Sequence, residues 1–272
     1  MLAAKHSSIG ACILAGLFAT TAAAGGPGSA PDLTVEQIVE RNVAARGGLE
    51  AWRKVQTMVW TGTIETGNPG APTAQFVYEW KRPNKTRFEV TVAQEKRTQV
   101  FNGTVGWTVR ASNAGIEALR RYTYAQARSA RDAQAIEGLL IDHQARGIEV
   151  ALEGADQVEG HRTYRLAVTL PSGAKRRVWV DAHTFLELKS EHASTDSRHG
   201  RAAPVYYRGY QLVDGLQVPR TLETQAHGVT PSETTTIEDV TLNLSLSDAH
   251  FDRPDVSRRD RTRLIWARND RP

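Results

Sequence analysis

Eight histidines and one cysteine raise the question of a metal or catalytic site. No two histidines have the HExxH or HxH spacing that places two imidazoles on one zinc ion. The nearest cluster of candidate ligands lies in a polar stretch typical of an exposed hairpin tip and comprises His183, Glu191, His192, Asp196 and His199. We therefore predict that the chain holds no metal.

Motifs for nucleophilic or phosphate chemistry are also missing from the sequence. There is no GxSxG elbow, no Walker loop and no GxGxxG turn. The paired carboxylates Glu36/Glu40 and Glu187/Glu191 fall on helix or strand faces with basic neighbours, which is typical of solvated charges. The sequence thus predicts a protein that is not an enzyme and has no cofactor.

The first residues have the pattern of a secretory signal. Lys5 precedes an apolar run from Ile9 to Phe18, and small residues lead to Ala22–Ala24. This run is too short to span a bilayer, which takes roughly twenty apolar residues. We predict a signal peptide over 1–24 and export to the periplasm. Two alternatives remain open: lipidation at Cys12, and retention of the segment as a membrane anchor.

Removal of residues 1–24 would leave about 250 residues without a cysteine, enough to bury a large core without disulfides. Lys and Arg total 34 against 30 Asp and Glu, and the small excess is spread along the chain, so no nucleic-acid partner is expected. The exception is a basic C-terminal tail over 257–272. It is interpreted either as a solvated tail or as a segment that touches an anionic membrane surface.

The spacing of apolar residues predicts a mainly β (α+β) protein. Thr34 and Gln37 form a capping box that begins a helix ending at Gly47–Gly48. From Gln56 the period changes to alternation, which predicts antiparallel strands. Residues 115–146 are rich in Ala, Arg, Gln and Leu and predict a helical insert. Further strands follow to Leu246, so the pattern favours one curved sheet with helices against it.

Aromatic side chains concentrate in the first group of predicted strands. They are Trp60, Phe76, Tyr78, Trp80, Phe88 and Trp107. Two interpretations remain open, a filled core and the wall of an apolar cavity.

Several motifs resemble those of the LolA/LolB-like superfamily of periplasmic lipoprotein carriers (outer-membrane lipoprotein-sorting proteins). The sharpest are Trp80-Lys-Arg-Pro-Asn84 and Phe101-Asn-Gly-Thr-Val-Gly-Trp107. Weaker matches run from Val178 to Phe185 and from Leu244 to Pro254. With the opening helix, the resemblance covers nearly all of the chain after the signal.

The resemblance implies a strongly curved, incomplete antiparallel β-barrel over 25–256, covered by helices, with the insert at about 115–146 as a lid. It also implies a cavity for the acyl chains of a lipoprotein or another lipid, and an arginine, Arg82 here, that hydrogen-bonds the lid. The predicted cavity and lid residues are Trp60, Phe76, Tyr78, Trp80, Arg82, Phe88, Trp107, Ile116, Leu119, Ile136, Leu139 and Leu140.

The function predicted from the resemblance is a monomeric periplasmic carrier or binding protein for lipoproteins or another acyl-chain lipid. An inner- or outer-membrane envelope protein is a further expected partner. The alternative is a sensor or interaction module of the same fold that binds a protein partner. An enzyme is the third hypothesis, and it would require convergent polar groups with perturbed pKa values inside the cavity.

Overall fold

The computed structural model describes residues 33–68, 70–132, 136–192, 204–225 and 233–254. These residues belong to a unit that begins at Leu33. The predicted signal peptide, the basic tail, and the Asp196 and His199 positions of the histidine-rich cluster lie outside the described residues, as does the side chain of His192.

Two short helices open the described chain. α1 spans Val35–Ala45, and its capping box is confirmed: the Gln37 amide donates to the Thr34 hydroxyl over 3.3 Å, and the Thr34 amide donates to the Gln37 side chain over 3.0 Å. At Gly47 φ is 109°, and a Cβ there would lie 2.4 Å from the Gly215 carbonyl oxygen, so only glycine fits. α2 then spans Leu49–Lys54.

The first half of the sheet is a meander of six strands; the alternating pattern predicts antiparallel strands here, but not the sixth, which lies in the predicted helical insert. They are β1 (Thr57–Thr66), β2 (Ala74–Lys81), β3 (Lys85–Val92), β4 (Glu95–Phe101), β5 (Gly106–Ser112) and β6 (Gly115–Arg121). Each pairs with the next in antiparallel fashion.

The second half follows a single helix, α3 (Tyr124–Asp132). Its strands are β7 (Glu149–Val158), β8 (His161–Thr169), β9 (Lys175–Asp181), β10 (Glu187–His192), β11 (Val205–Arg208), β12 (Gln211–Val213), β13 (Leu216–Val218), β14 (Thr221–Thr224) and β15 (Glu233–Leu242). β11 and β12 are separate strands, because the chain turns between them at Gly209, where φ is 59°. β12 and β13 form a separate hairpin.

Thirteen of the described strands form one antiparallel sheet in the order β6-β5-β4-β3-β2-β1-β15-β14-β11-β10-β9-β8-β7. β1 pairs with β15 and so joins the two meanders. β6 and β7 lie at opposite ends of this order and do not pair, so the curved sheet stays unclosed. This confirms the predicted fold class, an incomplete antiparallel barrel with helices.

The helices cover one face of the sheet, which we call the inner face. One apolar cluster joins Ile38 and Val39 of α1 to Tyr164, Leu166 and neighbouring side chains of β8 and β9. A second joins the α2 region to β1 and β2 through Trp52, Val55, Met58 and Trp80. Both clusters therefore lie on the same side of the strands as the helices.

The opposite, outer face carries a 3₁₀ turn, Asp248–Phe251. His250 Nε2 lies 2.7 Å from the Glu79 carboxylate on this face. Asp248 pairs with Lys81 and Lys85 over 2.7 and 2.8 Å, and these hydrogen bonds lower its carboxyl pKa to about 2. The end of the described chain is thus fastened on the side away from the helices.

The predicted helical insert is only partly helical. Residues 115–121 form the edge strand β6, paired with β5 across a turn at Gly115, where φ is 109°. Cross-strand pairing therefore overrides the helix propensity of this segment. Helix begins at Tyr124, and residues 136–147 form a series of turns.

A buried ion pair ties α1 to the second half of the sheet. Arg46 Nη1 donates to Glu187 over 2.8 Å, and both side chains are 8% exposed. Arg46 Nε also donates to the Gln217 carbonyl over 2.9 Å. Burial lowers the pKa of Arg46, but the attraction of Glu187 outweighs it, so the pKa stays above its usual value. The prediction that Glu187 is a solvated charge is wrong.

Replacing Arg46 with Met leaves Glu187 buried without its cation. We expect this variant to lose about 3 to 5 kcal/mol of unfolding free energy, because an uncompensated buried charge is costly. Arg53→Met is the control, since Arg53 pairs with Asp142 at the surface and should matter little. Urea unfolding followed by circular dichroism measures both. Equal midpoints for the two variants would contradict the structural role of the buried pair.

Candidate ligand-binding site

The inner face contains a cavity of about 360 Å³, which we call the aromatic cavity. This volume is within the roughly 300 to 1,000 Å³ of small-molecule sites. Its apolar lining is Trp60, Tyr78, Trp80, Leu139, Val178, Val205, Tyr207, Tyr210, Pro219 and Leu222, and its polar lining includes Arg46, Asp132, Arg176, Glu187 and Ser190.

Strand alternation and register bring three of the aromatic side chains together. Trp60 on β1 pairs with Tyr78 on β2, and Trp80 lies two residues further along the same face. The Trp60 and Trp80 rings meet edge to face with their centroids 4.8 Å apart. The Tyr78 ring stacks on that of Trp80, with 3.7 Å between centroids. Burial raises the pKa of Tyr78 to about 12, which is expected beside an apolar space. The sequence therefore places a rigid aromatic wall here.

The polar groups of the aromatic cavity bond mainly to one another. The Tyr210 hydroxyl donates to the Glu187 carbonyl and carboxylate over 3.0 and 3.2 Å, and the hydroxyls of Ser190 and Tyr207 lie 2.8 Å apart. Burial raises the pKa values of Tyr207 and Tyr210. Both phenols therefore stay protonated at neutral pH and do not act as bases.

α3 lies against β2–β5 and forms one side of a second space of about 390 Å³, which we call the lid groove. Its lining is Tyr78, Thr86, Phe88, Gln99, Thr108, Tyr122, Ala125, Gln126, Ser129 and Ala130. Tyr78 also lines the aromatic cavity. No residue of α3 is buried, so this helix rests on the sheet through small side chains.

A third space of about 470 Å³, which we call the cationic mouth, adjoins the C-terminal end of α3 at Arg131 and Asp132. Four cations line it, Lys81, Arg82, Arg131 and Arg146, together with Asp132 and Glu137. Asp132 lines the aromatic cavity as well. The cationic mouth and the aromatic cavity are therefore adjacent at Asp132, the last residue of α3.

Arg82 connects β2 to the segment that follows α3. Its Nε donates to the Val55 carbonyl over 2.7 Å, and its Nη2 donates to the Trp52 carbonyl over 3.2 Å and to Glu137 over 2.9 Å. Arg146 also approaches Glu137, at 3.5 Å. Glu137 is only 3% exposed, so the turns over 136–147 are held by this carboxylate.

Several predicted site residues meet at these spaces. Trp60, Tyr78, Trp80 and Leu139 line the aromatic cavity, Phe88 lines the lid groove, and Arg82 and Ile136 line the cationic mouth. Phe76 lies on the same strand face but is 3% exposed, with its ring 6.1 Å from that of Phe88. For Phe76 the packed-core interpretation holds.

Four other predicted site residues are corrected. Trp107 pairs with Val100, and Leu119 pairs with Val109, and this register places both on the outer face. Ile116 belongs to β6, so it is a strand residue and not a lid residue. Leu140 is fully buried in the cluster around α1, where it packs as core.

The sequence reasoning missed most of the polar lining. Arg46 and Glu187 are 141 positions apart, and no local pattern connects them. Arg176 is followed by a second arginine, and only the strand register shows which of the two faces inward. Within the described residues, no three His, Cys, Asp or Glu side chains are grouped as a metal site would need.

Comparisons with known proteins rest on structure alone, since no family model and no curated protein matches the chain. A LolA superfamily protein from Nitrosomonas europaea is similar over 81% of this chain and 98% of its own, with 17% identity and a TM-score of 0.54. A domain from Vibrio parahaemolyticus named for outer membrane lipoprotein sorting is similar over 79% and 94%, with 12% identity and a TM-score of 0.51.

The chain has a LolA-like fold. A DUF1329 family protein from Desulfovibrio piger is similar to it as well, with 15% identity, a TM-score of 0.54, and coverage of 80% of this chain and 97% of its own. In this LolA-like fold the described part of the chain contains no helix long and apolar enough to cross a membrane.

Replacing Arg82 with Met should loosen the turns over 136–147, because Glu137 loses one of its two cations. Hydrogen bonds to charged groups contribute about 1.5 to 3 kcal/mol, so amide exchange in this segment should accelerate roughly 10- to 150-fold relative to β8. Lys85→Met is the control, since Lys85 pairs with Asp248 on the outer face. Unchanged protection of 136–147 in Arg82→Met would contradict the role assigned to Arg82.

Proposed function

We propose that this protein is a periplasmic carrier or binding protein that holds an acyl chain, from a lipoprotein or another lipid, in the aromatic cavity beside the end of α3. The observation that carries the proposal is the cavity itself: aromatic and aliphatic side chains from both halves of the sheet surround a space of about 360 Å³. Each methylene moved from water into such a space contributes about 0.8 kcal/mol.

The loose seating of α3 supports a lid role. Ala125, Gln126, Ser129 and Ala130 line the groove beneath it, and the Tyr124 side chain is 79% exposed. An element with few buried apolar contacts opens at low free-energy cost. A ligand chain can therefore enter when α3 moves, while the rest of the sheet stays folded.

A binding role agrees better than a catalytic one with the polar groups of the aromatic cavity. Glu187 is already paired with Arg46 and Tyr210, and Ser190 with Tyr207. Because the phenol pKa values are raised and Glu187 is occupied, none of Glu187, Tyr207 and Tyr210 is an evident general base. Export through the N-terminal segment is part of the proposal.

The distribution of exposed apolar side chains favours a lipid over a protein as the ligand. The large exposed ones among the described residues are Tyr124, Leu152, Leu212 and Leu244, which belong to four separate segments. Single exposed apolar residues are ordinary on protein surfaces, whereas docking sites are contiguous patches.

Binding of a fluorescent fatty acid tests the proposal with two leucine variants. Leu139→Arg places a charge at the wall of the aromatic cavity, and we expect affinity to fall more than about tenfold because the cation would be desolvated beside the acyl chain. Leu119→Arg makes the same change at a half-buried leucine of the outer face and should bind like the unmodified protein.

Circular dichroism of both variants checks that they are folded. If Leu139→Arg and Leu119→Arg bind the probe equally well, the aromatic cavity is not the acyl site. If the unmodified protein takes up no probe at all, the carrier proposal fails, and a protein-binding module of the same fold becomes the better hypothesis.

A further inference from the structure

Arg176 is a cation placed inside an otherwise paired site. It lies on β9 with Val178, two residues along the same face, and both line the aromatic cavity. Its partner across the sheet is Val168, which is fully buried. The adjacent Arg177 faces the other way and donates to Glu153 over 2.9 Å.

Among the described residues, no carboxylate lies within ion-pair distance of Arg176. Its guanidinium donates to the Lys175 carbonyl over 3.1 Å, and Asp132 attracts it from further away. Burial lowers the pKa of Arg176, and Asp132 offsets only part of this effect. A half-buried guanidinium with so few partners is poorly compensated.

Arg131, at the end of α3, is a second cation without a carboxylate partner in the described part of the chain. The other cations of the mouth are occupied: Lys81 pairs with Asp248, and Arg82 and Arg146 share Glu137. Arg176 thus lines the aromatic cavity and Arg131 lines the mouth, Asp132 lines both spaces, and neither cation has a near carboxylate among the described residues.

We propose that the ligand is an amphiphile with an anionic headgroup, a carboxylate or a phosphate, whose headgroup binds Arg176 and Arg131 while its acyl chain lies along Trp60, Tyr78 and Leu222. This inference rests on the proposed carrier function and specifies the ligand class. A guanidinium suits the role, since it stays charged and binds carboxylate or phosphate through two parallel hydrogen bonds.

Asp132 is the group that opposes the headgroup. It lines both the mouth and the aromatic cavity and attracts Arg176, so its charge repels an anion bound at that arginine. A bound headgroup replaces Asp132 as the main counter-charge of Arg176. The end of α3 therefore loses an attraction to the sheet when the site fills.

Calorimetric titration with dodecanoate, dodecanol and acetate tests the headgroup separately from the chain. All are used below the concentration at which they form micelles. We expect dodecanoate to bind about 10- to 100-fold more tightly than dodecanol, which is the gain from hydrogen bonds to a charged group. Acetate, which has the carboxylate without the chain, should bind at least as weakly as dodecanol.

Three variants assign the effect to residues. Arg176→Gln should lose most of the preference for dodecanoate over dodecanol, because Arg131 remains as the second cation. Arg177→Gln removes the same charge from the outer face and should behave like the unmodified protein. Asp132→Asn should bind dodecanoate roughly two- to five-fold more tightly, because a weak repulsion is removed.

The outcomes separate the two proposals. Equal affinities for dodecanoate and dodecanol would overturn the anionic headgroup while leaving the acyl cavity in place. Acetate that binds as tightly as dodecanoate would show a site for free anions and overturn the amphiphile. If neither dodecanoate nor dodecanol binds, the carrier function and this inference both fail.

Discussion

The structure depends on one constraint, which is that a long antiparallel sheet without closure has more apolar inner surface than its helices cover. β6 and β7 end the sheet without pairing, and the described residues place α1, α2 and α3 against the inner face. α1 and α2 are fixed there by apolar clusters and by the buried Arg46–Glu187 pair. α3 has no buried residue, so the uncovered surface remains as cavities beneath and beside it.

Charge is distributed around these cavities in an ordered way. Deep charges are paired, as Arg46 is with Glu187 and Arg82 with Glu137. Among the described residues that line these spaces, Arg131 in the mouth and Arg176 in the aromatic cavity lack a near carboxylate. Arg131 is exposed, but Arg176 is half-buried. Because a half-buried charge without a paired partner does not stabilise the fold, the position of Arg176 is better explained by a ligand than by stability.

The sequence predicts local structure well and cross-sheet relations poorly. The capping box at Thr34 depends on neighbours in the chain and is confirmed. The shared face of Trp60 with Tyr78 and Trp80 depends in addition on the register of β1 with β2. The side of Trp107 depends on the register with β4, which no local pattern shows. Glu187 is buried because a distant arginine reaches it. Residues 117–121 are helix formers but pair with β5 as part of β6, so tertiary contacts decided their structure.

The most direct test of acyl-chain binding is the native mass of the protein purified from bacterial periplasm. The full chain, produced in a Gram-negative host and purified from the periplasm without detergent, should show acylated species in native mass spectrometry. Denaturation and lipid extraction should release these species, and acidic headgroups should be enriched among them. A bare polypeptide mass, together with no uptake of added fatty acid, would contradict the claim that this LolA-like fold holds an acyl chain.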